Sequence, residues 1–415
     1  MAFGGGHGLA ASLKALRHCS PELILDITAV VTVGDNGGSS GRLRAERDAQ
    51  LPPGDLRMAL TALADQDPGH QIMVKLMQHR FAPVGNPDRR TSVHAPAADT
   101  GRGDRAPGGE GGPGGAGGPG SGGGPGGAGG PGGESGPGSG GGPDGAGGPG
   151  SAGGPGSAGG PGSGQAVGKD GWGNVDRRIA SVGGKHDPLA GHAVGNLLLL
   201  GLLELMDDPV EALEHAGRMV GAQGRVLPMA CHAVGIEADV RGGEPGRPGE
   251  VVTVRGQHAV AVTSGHVEAV RIVPASPPAC PAALEAIRGA DWLIFGPGSW
   301  YTSVLPHLLV PELAGAIVAS PARRLVTLNL AADNETLGLS VADHLAALHW
   351  YLPELHIDTV LADAKWVGEP DPVHRAARAL GARLVLAPLA VADGSPKHDP
   401  ESLGTALVPV LGSDR

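Results

Sequence analysis

The stretch Ile27-Thr-Ala-Val-Val-Thr-Val33-Gly34-Asp35-Asn36-Gly37-Gly38-Ser39-Ser40-Gly41-Arg42 joins a β-branched run to a loop of glycines and hydroxyls. Branched side chains fit a pleated, half-buried surface, and glycines directly after them mark a tight exit, so the stretch predicts a strand that ends in a loop. The pattern recurs at Asp291-Trp-Leu-Ile-Phe295 before Gly296-Pro297-Gly298. Residues 324–330, 357–361 and 383–387 read as further strands, with helical stretches at 55–64, 191–206, 210–220 and 341–350. Alternating strands and helices predict an α/β fold, a mostly parallel sheet with helices on both faces. Residues 251–273 read instead as hairpins appended to that sheet. In such sheets ligands bind beyond the carboxyl ends of the strands, where loop amides and helix N-termini point.

A long insertion interrupts this pattern. From Pro107 to Pro161 a proline recurs every sixth residue, and 36 of the chain's 75 glycines fall between Gly101 and Gly164. The repeat offers no apolar face to offset chain entropy, which predicts disorder. Glycine at every third position from Gly108 to Gly162, interrupted at Ser135 and Asp144, suggests collagen, but glycine also fills many of the X positions, where it opposes a triple helix. The expected division is 1–81, the N-terminal part of the nucleotide-binding domain; 82–187, a disordered Gly/Pro-rich insertion; and 188–415, the remainder of that domain.

A net charge of −11 argues against nucleic acid or a polybasic membrane partner, either of which needs a clustered basic face. The longest apolar run, 193–206, carries Gly195, Asn196, Gly201 and Glu204 and is too short to span a bilayer. It reads as a buried helix. Three scattered cysteines and no basic-then-apolar N-terminus predict a cytoplasmic protein with neither a disulfide framework nor a cysteine zinc cluster. Only Met1 to Phe3 precede the first glycines, which predicts that further apolar residues belong ahead of Met1 to complete the strand.

Five segments carry the candidate chemistry. Gly4, Gly5, Gly6 and Gly8, ahead of a helical run at 10–16, can bring backbone amides against a phosphate, or can be a turn that packs helix on strand. In the second loop Gly37, Gly38, Ser39 and Ser40 supply donors for phosphate, Arg42 can pair with it, and Asp35 can hold a ribose or a divalent cation such as Mg²⁺. Asp55, in Leu51-Pro-Pro-Gly-Asp55-Leu-Arg57, stands where a simple helix cap would serve equally well; Arg57 reads as a surface charge. His192 and Asn196, four apart on an apolar helix, need polar partners, and the other histidines offer no zinc spacing. Gly296, Gly298, Ser299, Tyr301 and Thr302 make a third loop with an aromatic able to stack on a base or sugar. Three such loops favour a nucleotide-like ligand. A P-loop, a nucleophile elbow and a clear acid/base pair are all missing from the sequence, which favours binding over catalysis.

Taken in order, Gly-Gly-Gly-His-Gly-Leu, the Asp35 to Arg42 loop, Leu-Pro-Pro-Gly-Asp55, Gly-His192-x-x-Gly-Asn196, Gly296-Pro-Gly-Ser-x-Tyr-Thr-Ser and Asn329-Leu…Glu335-Thr-x-Gly338 resemble the gluconeogenesis factor family, relatives of the 2-phospho-L-lactate transferases. The resemblance implies a Rossmann-like fold and a cytoplasmic, non-catalytic UDP-sugar-binding regulator needed for normal cell shape and for growth on gluconeogenic carbon sources. It places the first glycine loop, residues 35–42, His192, Asn196 and 296–302 around the nucleotide sugar. Asn36 stands where the family usually has a second Asp, and Asp333-Asn334 where it has Pro-Gly. The competing reading is a transferase moving a phospholactyl group from a nucleotide donor to a deazaflavin; a third is a scaffold acting through the repeat. A homo-oligomer and a regulatory protein partner are compatible with the sequence, which specifies neither.

Overall fold

The computed structural model describes residues 1–83 and 187–413, apart from Pro245 and Pro248. The expected disorder of the insertion concerns residues that lie, but for its end residues, outside the described ones.

Seven strands form one parallel sheet: β1 (Ala2–Gly4), β2 (Thr28–Val31), β3 (Arg225–Pro228), β7 (Trp292–Phe295), β8 (Arg323–Thr327), β9 (Thr359–Asp363) and β10 (Arg383–Ala387). The spatial order is β10-β9-β8-β7-β1-β2-β3. Counted within this sheet alone, the strands run 3-2-1 and then outward on the other side, the Rossmann-like order. Both faces are covered, since β1 and β9 are buried along their whole length. Phe3 of β1 stacks on Phe295 of β7 at 4.9 Å between ring centroids, a pair worth about 0.5–1.5 kcal/mol beyond its burial.

The helices are α1 (Gly6–Cys19), α2 (Gly38–Arg47), α3 (Pro53–Leu63), α4 (Pro68–Gln78), α5 (Val194–Leu205), α6 (Pro209–Met219), α7 (Gln257–Ala261), α8 (Pro281–Arg288), α9 (Pro306–Leu309), α10 (Pro311–Ala319), α11 (Val341–Tyr351), α12 (Pro370–Ala379) and α13 (Pro400–Leu411). Proline opens most of them. At the first helical position its missing N–H costs nothing and its fixed φ suits the helix.

Two expectations need correction. The apolar helix α5 is only half-buried: Gly195, Asn196, Leu199 and Leu200 face inward while Leu205 is 81% exposed. Residues 251–273 do not pair with each other as a hairpin. Their strands β5 (Val251–Arg255) and β6 (His266–Val273) flank β4 (Gly235–Arg241) in a separate antiparallel sheet of order β5-β4-β6. The register of each pairing sends Ile236, Ala238 and Val240 inward and leaves Glu237, Asp239, Arg255 and Arg271 as an ion-pair ladder on the other face.

The chain on either side of the insertion meets. Phe81 N donates to His192 O at 3.0 Å, Gly191 N to Phe81 O at 2.8 Å and Val194 N to His79 O at 2.9 Å, so a short antiparallel pairing closes the base of the excursion. Loop-closure cost grows only logarithmically with length. Replacing residues 101–164 by a short linker is therefore expected to leave the melting temperature unchanged to within a few degrees; loss of soluble expression would show that the repeat supports the fold.

Candidate functional site

Strand order reverses at β1. From there the chain steps to β2 and β3 on one side, and β7 to β10 lie on the other, so the loops after β1 and β7 flank the crevice where such sheets bind ligands. The two loops are in contact. A Cβ on Gly8 would run into the Pro297 carbonyl oxygen and the Gly298 Cα, and one on Gly5 would lie 2.5 Å from both the Asp55 carboxylate and the Thr32 hydroxyl. Only glycine allows these approaches. Gly4 ends β1, and Gly6 takes a left-handed φ of 54° as α1 begins.

Asp55 sits at the centre of this junction, 8% exposed, in the first turn of α3. Its carboxylate does not cap its own helix. It accepts from the Thr32 hydroxyl at 3.2 Å and from the Gly6 amide, linking α3 to the loops after β2 and β1. Burial, reinforced by the negative charge of Asp35, pushes Asp55 up to about 7. Asp35 accepts from Gly37 N at 2.9 Å, while its other oxygen lies against Gly54. Two carboxylates from separate elements thus stand close enough to repel each other, an arrangement that recurs at functional sites.

Beside the acids runs a buried polar chain. Arg57 Nε donates to Asn196 Oδ1 at 2.8 Å, Asn196 Nδ2 donates to Ser39 Oγ at 2.9 Å, and Ser39 Oγ lies 2.9 Å from His192 Nδ1. Arg57 is 6% exposed and not the surface charge its sequence position suggests. Burial, with Arg80 nearby, lowers it to about 10. His192 and Asn196 find their partners through Ser39 and not in each other. Burial, then Arg42 and Arg80, lowers the His192 pKa and favours the neutral ring. Ser40 accepts from Gly54 N at 3.0 Å, so both serine hydroxyls are engaged with protein. Arg42 donates to Ala190 O at 2.8 Å and Pro188 O at 3.1 Å, tying the returning chain to α2. Gly37 and Gly38 open α2 with no side-chain cap, leaving the entry to backbone amides.

The loop after β7 is held by two residues the sequence reading left without a structural role. Asn329 accepts from Gly298 N at 2.9 Å and donates to Gly298 O at 2.8 Å. Glu335, 2% exposed, accepts from Tyr301 N and from the Thr302 hydroxyl, each at 2.8 Å, fixing the start of the π-helical turn Trp300–Val304. Burial pushes Glu335 up to about 7. Ser299 bonds Asp333, whose carboxyl is raised by burial. Tyr301 is 6% exposed, belongs to the hydrophobic core, and is raised by burial to about 12. Gly296, with φ 74°, turns against the Thr327 carbonyl. The motif order through Glu335 and Thr336 was the available signal for these restraints.

A cavity of about 800 Å³ lies elsewhere, at the amino end of the sheet by Met1, Ile27, Trp292 and Arg323. Its lining includes Asp26 and Asp291 and none of the three glycine loops. Among the described residues, no group of three or more His, Cys, Asp or Glu side chains is arranged to hold a metal ion, and no helix is long and apolar enough to cross a membrane.

Comparison with known proteins agrees with the fold. The sequence model described as 2-phospho-L-lactate transferase CofD matches residues 1–382. A Mycobacterium tuberculosis protein named "Putative gluconeogenesis factor" is 37% identical over all of this chain and 90% of its own length. The "Gluconeogenesis factor" of Bacillus subtilis is 28% identical over 90% of this chain and 80% of its own. A crystal structure of a UPF0052 family member from Bacillus halodurans superposes with a TM-score of 0.63 at 25% identity, covering 98% of this chain and 97% of that one. With the sequence model matching from residue 1 to 382, this chain belongs to the CofD family and is similar within it to proteins named gluconeogenesis factor.

Proposed function

We propose that this chain is a cytoplasmic, non-catalytic regulator that binds a nucleotide sugar, a UDP-sugar, and supports normal cell shape and growth on gluconeogenic carbon sources. The observation that carries the reading is the pairing of Asp35 and Asp55 beside the Arg57 guanidinium, with Arg80 close to Arg57, at the carboxyl end of the parallel sheet. Loop amides and arginines suit a diphosphate. The carboxylates suit a ribose, or one Mg²⁺ that takes its remaining ligands from phosphate and water, as that ion prefers. The names of the relatives support the link to gluconeogenic growth.

The description of the family model, together with a carboxyl group raised to about 7, favours a second reading: transfer of a phospholactyl group. Calorimetric titration with UDP-N-acetylglucosamine, UDP-glucose, GDP and NAD separates the two. The regulator binds a UDP-sugar and turns nothing over. Should the chain ignore UDP-sugars yet move a phospholactyl group from a guanosine nucleotide donor to a deazaflavin, the transferase reading replaces it. Within the first outcome, Asp35→Ala is expected to weaken binding with or without Mg²⁺ if Asp35 holds ribose, and in the presence of Mg²⁺ alone if it holds the ion.

A further inference from the structure

The three-stranded sheet leaves the main body after β3 and returns into α8, and the two crossings touch at one place. Ala230 and Ala279 form an isolated antiparallel bridge, and Cys280 N donates to Met229 O at 3.1 Å. Cys231 and Cys280 each follow a bridge residue, which puts them diagonally on the same face of this small ladder. Their thiols are hydrogen-bonded to each other. Neither is in a disulfide.

We propose that Cys231 and Cys280 are a reversible redox clasp, a dithiol that closes to a disulfide across the neck of the three-stranded sheet on reaction with a low-molecular-weight disulfide. The two sulfurs are not equivalent. Cys280 is fully buried at the start of α8, close to the amides of Ala282 and Ala283; the bond from the Cys231 thiol, then those amides, hold it down at about 7 against the opposing effect of burial. Cys231 is half-buried and meets solvent. In the first step the Cys280 thiol releases its proton to solvent, Cys231 passes its own proton to that thiolate along their shared hydrogen bond, and the Cys231 thiolate attacks the small disulfide RSSR, forming a mixed disulfide and releasing RS⁻, which the released proton neutralises. In the second, the Cys280 thiol loses its proton, and its thiolate attacks the Cys231 sulfur and displaces a second RS⁻. The net change is two protein thiols and RSSR to one protein disulfide and two RSH, the two electrons passing from the cysteines to the small disulfide.

The neck matters to the site. The sheet it carries leads into α7, where His258 N donates to Asn36 Oδ1 at 2.9 Å, and Ile236 packs on Gly34, so the sheet borders the Asp35 loop. Cys19 provides an internal contrast. It is buried, bonded to Ala15 O and Gly404 O, and raised by burial to about 11, a thiol with no second sulfur and little nucleophile.

The test treats the folded full-length chain with oxidised glutathione, quenches in acid, denatures, alkylates with N-ethylmaleimide and reads the mass. The clasp predicts a chain lighter by two hydrogens before alkylation, one alkylated cysteine of three, and a cross-linked peptide joining residues 231 and 280. Dithiothreitol should restore all three thiols. Cys19→Ser should leave the cross-link intact, and Cys280→Ser should stop at a glutathione adduct on Cys231. Three alkylated cysteines in the wild type, a link involving Cys19, or a stable adduct that never closes would each overturn the proposal.

Discussion

Asp55→Asn is expected to melt at a higher temperature than the parent chain near pH 8 and to lose its ligand. Burial holds Asp55 at about 7, whereas an unfolded Asp titrates near about 3.9. Between those values the native state keeps a proton that the unfolded state has released. Its contribution to stability is therefore full below about pH 4 and is lost as pH rises to about 7. Three pKa units at about 1.4 kcal/mol each set a ceiling of roughly 4 kcal/mol on that loss. Asparagine keeps the shape and cannot ionise, so the fall should become shallower in the variant. Glu335, raised by burial to about 7 as well, adds a second fall of the same sign. Adding Glu335→Gln to the first change should flatten the profile further. An Asp55→Asn profile that tracks the parent from pH 4 to pH 8 would show that the carboxyl is not held neutral by the fold.

Gly8→Ala is expected to part the two loops that form the crevice. Its methyl group would meet backbone only, with the Pro297 carbonyl carbon 2.7 Å away, and backbone cannot swing aside as a long side chain would. Overpacking of this kind costs about 1–3 kcal/mol, and the separation of the β1 and β7 loops should remove measurable affinity for a UDP-sugar. Gly201→Ala is the opposite case. An added Cβ there has open space in an exposed helical position, and helix propensity favours alanine by up to about 1 kcal/mol. Equal melting temperatures and equal affinities for Gly8→Ala and the parent would remove the loop contact from the account.

Much of the fold was legible because the sheet is parallel and buried on both faces, so its strands read as short β-branched runs; residues 383–387 match β10 at both ends. Eight helices escaped notice, α2, α4, α7, α8, α9, α10, α12 and α13, and all of them but α2 and α7 open with proline. Proline reads as a breaker when taken alone, yet Asp67 and Asp399 directly before it accept bonds from the first-turn amides and mark the starts as caps. Strand β4 was missed because Gly235-Ile-Glu-Ala-Asp-Val-Arg241 mixes acids into its outer face, which the ion-pair ladder explains. At the site, local spacing brought out the loops but not their partners. The burial of Arg57 depends on Asn196, 139 residues away, and the role of Glu335 depends on amides 33 and 34 residues before it. Local pattern carries no information on such pairings. Arg42, read as a phosphate partner from its place in the loop, has donors committed to carbonyls beyond the insertion for the same reason.

The central claim is that ligand binds at the carboxyl end of the sheet, among the loops after β1, β2 and β7, and not in the cavity at the amino end. Amide hydrogen exchange followed with and without UDP-N-acetylglucosamine tests it directly. The account predicts that added ligand slows exchange at residues 5–8, 37–40 and 296–299 and leaves residues 24–28 and 289–292 unchanged. Protection confined to residues 24–28 and 289–292, with the three glycine loops exchanging as before, would contradict it.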